Sequence, residues 1–300
     1  MVAKILTGKS TALVAGGLLV ALATLTRPAP AMAETRTFPV SAEAKRINIG
    51  SGMTYAAWTY SGTVPGPLMR ATVGDKVNIQ LVNHTASAHG LEVYAAQIAP
   101  QHFTGQLGVP QLSYSFEPEV PGVFVYHCSA IPVLAHIADG MYGMMIVDPK
   151  GGWPNGNAHE ITMVQSEFYG SPNPQGFIAG DSEKMLDAAP DFVVFNGKVN
   201  NYDLENPIQI KVGELVRIFF INAGPNTFSD FHVNGVIFST VYRNGNPAQA
   251  FHNMPSMMTG PGEGAVFEFK VTQAGDYGFG DQSGAHAYKG ATGIFRATAK

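Results

Sequence analysis

The sequence predicts an all-β protein, and three observations lead to this fold class. The 300 residues include 34 glycines and 20 prolines, so turns are frequent along the chain. No long stretch keeps the roughly 3.6-residue apolar period of an amphipathic helix. Short segments of alternating apolar and polar residues lie between the turns, and such strands pack as a sandwich or a barrel.

The second half of the chain repeats the order of motifs found in the first half. The paired segments are residues 73–83 with 212–222, 120–128 with 273–281, and 140–147 with 290–297. In the first pair, VGDKVNIQLVN and VGELVRIFFIN each place a Gly-acid turn before alternating apolar residues. Any two sandwiches share such patterns, but chance similarity does not also keep their order. The repeat therefore predicts one duplicated β-domain.

The two copies meet at residues 148–160, which read DPKGGWPNGNAHE. The Gly, Pro and Asn content of this segment is typical of a linker. The prediction is a first domain over residues 34–150 and a second over residues 151–300.

The N-terminal segment has the features of a secretory signal peptide. Lys4 and Lys9 precede an apolar run at residues 12–25, and small residues follow up to Ala33. The run is shorter than the roughly 20 apolar residues that a membrane span needs. A signal peptide over residues 1–33 is predicted, with an exported mature chain that has no membrane span.

Composition excludes some function classes. The net charge is −4 and only 13% of residues are charged, which argues against a nucleic-acid partner. The sequence contains neither a Gly-rich phosphate loop nor a Ser-His-Asp spacing. Hydrolase and phosphoryl-transfer chemistry therefore have no support in the motifs.

The single cysteine, Cys128, stands in a stretch of potential copper ligands. Exported proteins normally pair their cysteines, so a lone thiol is buried, intermolecular or committed to chemistry. His136 and Met141 follow Cys128 in one loop, and His89 comes from a separate strand end. Two imidazoles, a thiolate and a weak axial thioether form a blue-copper (type 1) site. The alternative is a buried structural cysteine with unrelated neighbours.

Only the first copy of the repeat contains this set of residues. The counterpart of Cys128 in the second copy is Asp281, and the counterpart of Met141 is Ala291. The sequence thus predicts one type 1 copper per chain, in the first domain.

Several motifs together resemble the copper nitrite reductase family. They are GTVPGPLMR, VGDKV, PGVFVYHC and H-x4-M in the first half, and VFNG, FHVNGVIF and AYKGATGI in the second. The resemblance implies two Greek-key cupredoxin β-sandwich domains in tandem and a periplasmic homotrimer. It also implies a type 1 copper that receives electrons from a small periplasmic donor, a cytochrome c or a cupredoxin. A type 2 copper between subunits then reduces nitrite to nitric oxide in that family.

The type 2 positions depart from the family pattern. Adjacent strand residues point to opposite faces, so His127 points away from the type 1 site and matches a type 2 ligand. The family motif H-N-I-D-F-H reads HGLEVY here, which places Glu92 at the catalytic aspartate and Tyr94 at a second ligand histidine. The family motif D-H-S reads DQS, which places Gln282 at the third ligand. A type 2 copper site that is altered or lost is predicted.

Some surrounding catalytic chemistry is retained. His232 matches the family's second catalytic residue, and Asn234 stands where the family usually has an apolar residue that shapes the substrate pocket. Together with Glu92 and His127, these residues are expected to form either an altered catalytic or metal site, or a remnant that now bonds across a subunit interface. His102 and His286 are two possible substitute ligands, although each also fits a loop or surface histidine.

Three functions remain open. The first is electron transfer with an altered or lost type 2 site, and the second is an NO-forming nitrite reductase or a related small-substrate reductase. The third is copper storage or delivery by a soft patch, although packing is the favoured role of its residues; they are His252, Met254, Met257 and Met258. A multicopper oxidase is not predicted, because its trinuclear cluster needs H-x-H pairs and the sequence has none.

Two further expectations concern the surroundings of the copper. A donor is expected to dock over an exposed edge of His136, on an apolar patch at residues 131–134. Trp58 and Trp153 are expected to be packing residues.

Overall fold

The computed structural model describes Met1 and residues 33–299. The predicted signal peptide lies outside the described residues, apart from Met1 and Ala33. Among the described residues, no helix is both long and apolar enough to cross a membrane.

The first half consists mainly of short strands. In chain order they are β1 (Thr35–Gly50), β2 (Met53–Tyr60), β3 (Met69–Thr72), β4 (Lys76–Asn83), β5 (Glu92–Val93), β6 (Gln111–Phe116), β7 (Gly122–His127) and β8 (Tyr142–Asp148). A 3-10 turn at Pro100–His102 precedes β6, and helix α1 (Val133–Ala138) lies between β7 and β8.

The second half follows the same plan. Its strands are β9 (His159–Phe168), β10 (Phe177–Ile178), β11 (Phe192–Phe195), β12 (Ile208–Lys211), β13 (Val216–Gly224), β14 (Ser229–Val233), β15 (Phe238–Arg243), β16 (Ala250–Met254), β17 (Ser256–Thr259), β18 (Gly264–Phe269), β19 (Gly275–Asp281) and β20 (Thr292–Thr298). Helix α2 (Ser182–Leu186) follows β10, and helix α3 (Gly284–Tyr288) lies between β19 and β20. A 3-10 turn at Pro247–Gln249 precedes β16.

The strands of each half form two sheets. In the first half the strand orders are β10-β2-β1-β4-β6 and β3-β8-β7-β5. In the second half they are β11-β9-β13-β18-β15-β16 and β12-β20-β19-β14-β17. The first sheet of the first half thus takes β10, a strand from beyond residue 150, which pairs in parallel with β2.

The pairing within the sheets repeats between the halves. β1 pairs in parallel with β4, as β9 does with β13. β3 pairs in parallel with β8, as β12 does with β20, and the antiparallel pairs β7-β8 and β19-β20 also correspond. The three repeated sequence motifs fall on these equivalent strands, which confirms the predicted all-β fold of two tandem sandwiches. A domain boundary at residue 150 stays a prediction.

Strand β7 contributes side chains to two different cores because its alternate residues face opposite ways. Tyr126 and, directly after the strand, Cys128 belong to the core of the first half. Val123 and Val125 belong to another cluster, which also contains Phe219 and other residues of the second half. His127 continues the face of Val123 and Val125, so its side chain is directed away from Cys128.

Candidate copper centre

Three buried side chains converge near the end of β7. The thiol sulfur of Cys128 lies 3.2 Å from Nδ1 of His136 and 3.8 Å from Nδ1 of His89, and the two Nδ1 atoms lie 3.2 Å apart. Cys128 has no exposed surface, and each histidine is only 3% exposed. Within residues 33–299, they are the group of His, Cys, Asp or Glu side chains whose geometry suits a metal ion.

The loop that carries these residues is held by its own backbone. The amide of Cys128 donates to the carbonyl of Met141 at 3.1 Å, and the amide of Met141 donates to the carbonyl of His136 at 3.0 Å. Met141 is fully buried in the first core beside Cys128. The amide of Gly90 donates to the Cys128 sulfur at 3.4 Å, which connects the His89 segment to the loop.

The electrostatics of the three side chains suit a metal cation. Burial lowers the pKa of His89, and burial together with the neighbouring His89 lowers the pKa of His136 to about 4. Both imidazoles are therefore neutral at neutral pH, the form that binds metals. Burial raises the pKa of the Cys128 thiol. A bound cation compensates for this effect, because it stabilises the thiolate.

The donor set fits copper. Two imidazole nitrogens and a thiolate sulfur form the soft, three-coordinate set of a blue-copper site. Both Nδ1 atoms face the sulfur, and Nε2 of His89 is buried without a hydrogen-bond partner in the described part of the chain. The residues predicted from sequence are thus brought together as a group that fits type 1 copper.

Comparisons with known proteins agree with this geometry. A family model described as multicopper oxidase matches residues 41–152. Copper-containing nitrite reductase of Neisseria gonorrhoeae is 37% identical over 263 residues, which are 83% of this chain and 65% of that relative. The chain therefore spans slightly less than two thirds of the length of this curated relative. The solved copper nitrite reductase from Nitrosomonas europaea is 34% identical with a TM-score of 0.81, over 88% of this chain and 94% of that one.

The chain belongs to the copper-containing nitrite reductase family. A structure of the copper-containing nitrite reductase from Thermus scotoductus has a TM-score of 0.82 at 30% identity, over 89% of this chain and 62% of that one. The predicted family and the copper cofactor of its members are thereby confirmed.

His127, the residue that matches a type 2 ligand of this family, has a hydrogen-bond partner at each ring nitrogen. Nδ1 of His127 donates to the carbonyl of Cys128 at 2.9 Å, because a carbonyl oxygen can only accept. Nε2 of His127 is hydrogen bonded to the hydroxyl of Tyr94 at 3.1 Å. A carboxylate oxygen of Glu92 lies 3.9 Å from the same Nε2. Tyr94 and Glu92 are thus both directed at Nε2 of His127.

The second-half residues of the predicted site lie on one face of a different sheet. His232 on β14 pairs with Gly280 on β19, and the amide of Gln282 donates to the carbonyl of Asp230 at 2.9 Å. Nδ1 of His232 donates to the carbonyl of Pro255 at 2.6 Å. Asn234 follows on the same face and is exposed. In the described part of a single chain, neither His232 nor Gln282 hydrogen bonds with His127.

The remaining sequence candidates lie elsewhere. His102 is exposed in the 3-10 turn before β6, and Nδ1 of His286 lies 2.7 Å from the carboxylate of Asp281. Met254 and Met257 pack against the core of the second half, whereas Met258 is 65% exposed. These side chains form no group with the residues at β7.

One neighbour of the copper site was missed by the sequence analysis. The Trp58 ring lies 4.5 Å from the His136 ring and 5.4 Å from the His89 ring, measured between centroids. Trp58 also packs against the first core, as expected. Its position on β2, remote in sequence from both histidines, leaves no local pattern that predicts this contact.

Proposed function

We propose that the protein is a periplasmic electron-transfer protein with one type 1 copper per chain, on the homotrimeric architecture implied by its family. The observation that carries this proposal is the convergence of the Cys128 sulfur and the Nδ1 atoms of His89 and His136. Copper held there would supply a one-electron redox centre. Met141, buried next to Cys128, is the proposed weak axial ligand.

The proposed copper ligands are held so that the site changes little when the metal changes oxidation state. The thiol and both imidazoles are buried, and the backbone bonds between Cys128, Met141 and His136 keep the ligand loop in place. A rigid, dry site of this kind keeps the same donor set in both oxidation states of the metal.

The type 2 site is proposed to be altered or lost. Catalytic metal sites usually combine three firm protein ligands with an open position for substrate. Here the Tyr94 hydroxyl is hydrogen bonded to Nε2 of His127, and Gln282 supplies an amide in place of an imidazole. One histidine that is already hydrogen bonded is a weak basis for tight copper binding.

An NO-forming nitrite reductase is the second candidate, supported by the names of the relatives, by the matching His127 and His232, and by Glu92 as a carboxylate in place of the aspartate. In that reaction nitrite takes up one electron and two protons and yields nitric oxide and water. Glu92 and His232 are the proposed proton donors. Nitrite turnover that collapses in His127→Ala would establish this candidate over the first.

Copper storage has no comparable support in residues 33–299. Two of the methionines expected to form the soft patch, Met254 and Met257, pack against the second core. They therefore act there as apolar packing residues.

The deciding experiment is a copper count on the purified, copper-loaded full chain, with the electron paramagnetic resonance spectrum recorded on the same sample. The expected result is one copper per chain with a type 1 signal alone. Two coppers per chain with a second signal would overturn the altered type 2 site. Sedimentation analysis of the same sample checks the proposed homotrimer.

Two double variants test whether Tyr94 and Gln282 are the reason for the loss of the type 2 copper. Tyr94→His combined with Gln282→His returns both positions to imidazoles, and a second copper signal is expected in the trimer. Tyr94→Phe combined with Gln282→Ala is the matched control, which removes the same groups without adding a ligand. Equal copper counts in the two double variants would contradict the proposed reason.

A further inference from the structure

Trp58 separates the copper-site imidazoles from the surface. Its ring packs against His136 at 4.5 Å in a tilted arrangement and meets His89 edge-on at 5.4 Å. The indole is itself partly exposed. Within residues 33–299, it is the aromatic side chain outside the ligand set that contacts these two rings.

The ligands themselves offer a partner protein almost no surface. His136 is 3% exposed, and Cys128 and Met141 are fully buried. The sequence-based expectation of an exposed His136 edge is therefore wrong, because packing by Trp58 and the surrounding core covers the imidazole. A protein donor that approaches the site meets a side chain other than a ligand.

We infer that Trp58 is the electron-entry residue of the copper site, and that its partner is a one-electron redox protein that docks an apolar face over the indole. The inference rests on the electron-transfer function proposed above. Tryptophan suits this position because its large apolar ring contributes strongly at protein interfaces. Its inner face meanwhile remains in contact with the His136 imidazole.

The transfer changes oxidation states and no covalent bonds. The reduced partner would give up one electron, copper(II) held by His89, Cys128 and His136 would accept it, and the indole would serve as the contact across which the electron passes. No proton or leaving group moves. The step needs no oxidant or reductant beyond the partner and the metal.

The backbone of Trp58 is joined directly to the loop that carries His136. The amide of Trp58 donates to the carbonyl of Asp139 at 3.0 Å, one residue after α1, the helix that carries His136. Gly140 is packed so closely against β2 that a Cβ there would lie 3.0 Å from the Trp58 carbonyl oxygen and 2.7 Å from a Val64 methyl. Strand β2 and the ligand loop are therefore in direct backbone contact beside the indole.

The test compares the copper-loaded full chain with Trp58→Leu by stopped-flow reduction. The donors are a reduced c-type cytochrome and a reduced single-domain cupredoxin, and the reduction potential is measured in parallel. For whichever of the two donors reduces the unmodified chain, we expect the second-order rate constant to fall about tenfold in Trp58→Leu. Such a decrease is typical when one aromatic anchor of an interface is lost. The blue absorption should remain, and the rate with ascorbate should fall less.

Several outcomes would overturn the inference. They are a rate constant equal to that of the unmodified chain, a loss fully explained by a changed potential, or no reduction by either protein donor. Leu204→Ala, at a 63% exposed residue of the second half, is the surface control and should leave the rate unchanged. If Trp58→Leu fails to fold, Trp58→Phe provides the same comparison with an intermediate rate expected.

A second readout does not depend on any donor. Trp153→Phe leaves Trp58 as the single tryptophan, and copper loading should then quench most of the remaining fluorescence. If the tryptophan emission is not quenched in a chain with normal blue absorption, the contact between Trp58 and the copper-site histidines would be contradicted. Absence of blue absorption in the unmodified chain would instead overturn the proposed function.

Discussion

The loops after β7 and β19 show how one backbone carries two different sites. In the first half, Cys128 donates through its amide to the carbonyl of Met141 at 3.1 Å, and the Met141 amide donates to the carbonyl of His136 at 3.0 Å. In the second half, Asp281 donates to the carbonyl of Ala291 at 3.1 Å, and Ala291 donates to that of His286 at 3.1 Å. The loop geometry therefore does not depend on the copper ligands.

A glycine turn is also common to both loops. Gly140 has φ of 113° and Gly290 has φ of 119°, each directly before the residue that closes the loop. This region of backbone conformation is open to glycine at little cost. The same sharp return to the strand is thus available with or without a metal site.

The side chains complete the two loops in different ways. The Asp281 carboxylate accepts hydrogen bonds from Nδ1 of His286 at 2.7 Å, from Gln165 at 2.9 Å and from the amides of Ser283 and Asp230 at 2.9 and 3.1 Å. It is fully bonded by the protein alone. A thiol beside two imidazoles lacks such strong donors, so the ligand atoms of the first half remain available to a metal. Within the two loops, positions 128 and 141 distinguish the candidate copper site from the structural one, since His136 and His286 are equivalent.

The largest expected effect comes from converting the first loop to the second. Cys128→Asp should abolish the blue absorption completely while the chain still folds, because an aspartate at the equivalent loop position is tolerated in the second half. Absorption spectroscopy and metal analysis of the folded protein check this. Ala291→Met is the reciprocal control and should leave the absorption as it is. Residual blue absorption in Cys128→Asp would contradict the assignment of the thiolate ligand.

A large effect on stability is expected from Asp281 in the loop after β19. Asp281→Ala leaves Gln165, His286 and two amides without their acceptor, so the free energy of unfolding should fall by about 3 kcal/mol. Denaturant unfolding measures this change. Asp276→Ala, which removes an exposed ion pair with Arg296, is the matched control and should shift the midpoint little. Similar shifts in both variants would mean that the second loop does not depend on its carboxylate.

A smaller effect is expected from pH. Burial by itself raises the pKa of Asp281, but the hydrogen bonds from His286, Ser283, Asp230 and Gln165 bring its pKa below the ordinary value. A carboxyl with a lower pKa in the folded chain stabilises the fold above the unfolded-state pKa. That stability is lost as the pH falls through the folded-state pKa.

The loss should amount to about 1.4 kcal/mol for each unit by which the two pKa values differ. Unfolding midpoints measured between about pH 6 and about pH 3 should decrease more steeply in the unmodified chain than in Asp281→Asn. Parallel curves for the two proteins would assign the acid dependence to other carboxyls.

Much of the architecture and the ligand loop follows from local patterns in the sequence. Strand alternation and the ordered repeat predicted the tandem sandwiches, and the family motifs predicted the membership. The counterparts of Cys128 and Met141 were also read correctly as Asp281 and Ala291, because the repeat preserves the order of strand, loop and Gly turn. His286 gave no comparable signal, since a lone loop histidine does not show in sequence that it bonds a buried carboxylate.

The surroundings of the site depended on the tertiary structure. The sequence alone determined the strands, the duplicated loop and the residue types able to bind copper, because these are encoded by short-range periodicity and spacing. Only the fold decided that Trp58 covers His136, that the Tyr94 hydroxyl bonds His127, and that β10 completes a sheet of the first half. These contacts join strands far apart along the chain, and such pairings depend on three-dimensional packing, which leaves no periodic trace in the sequence.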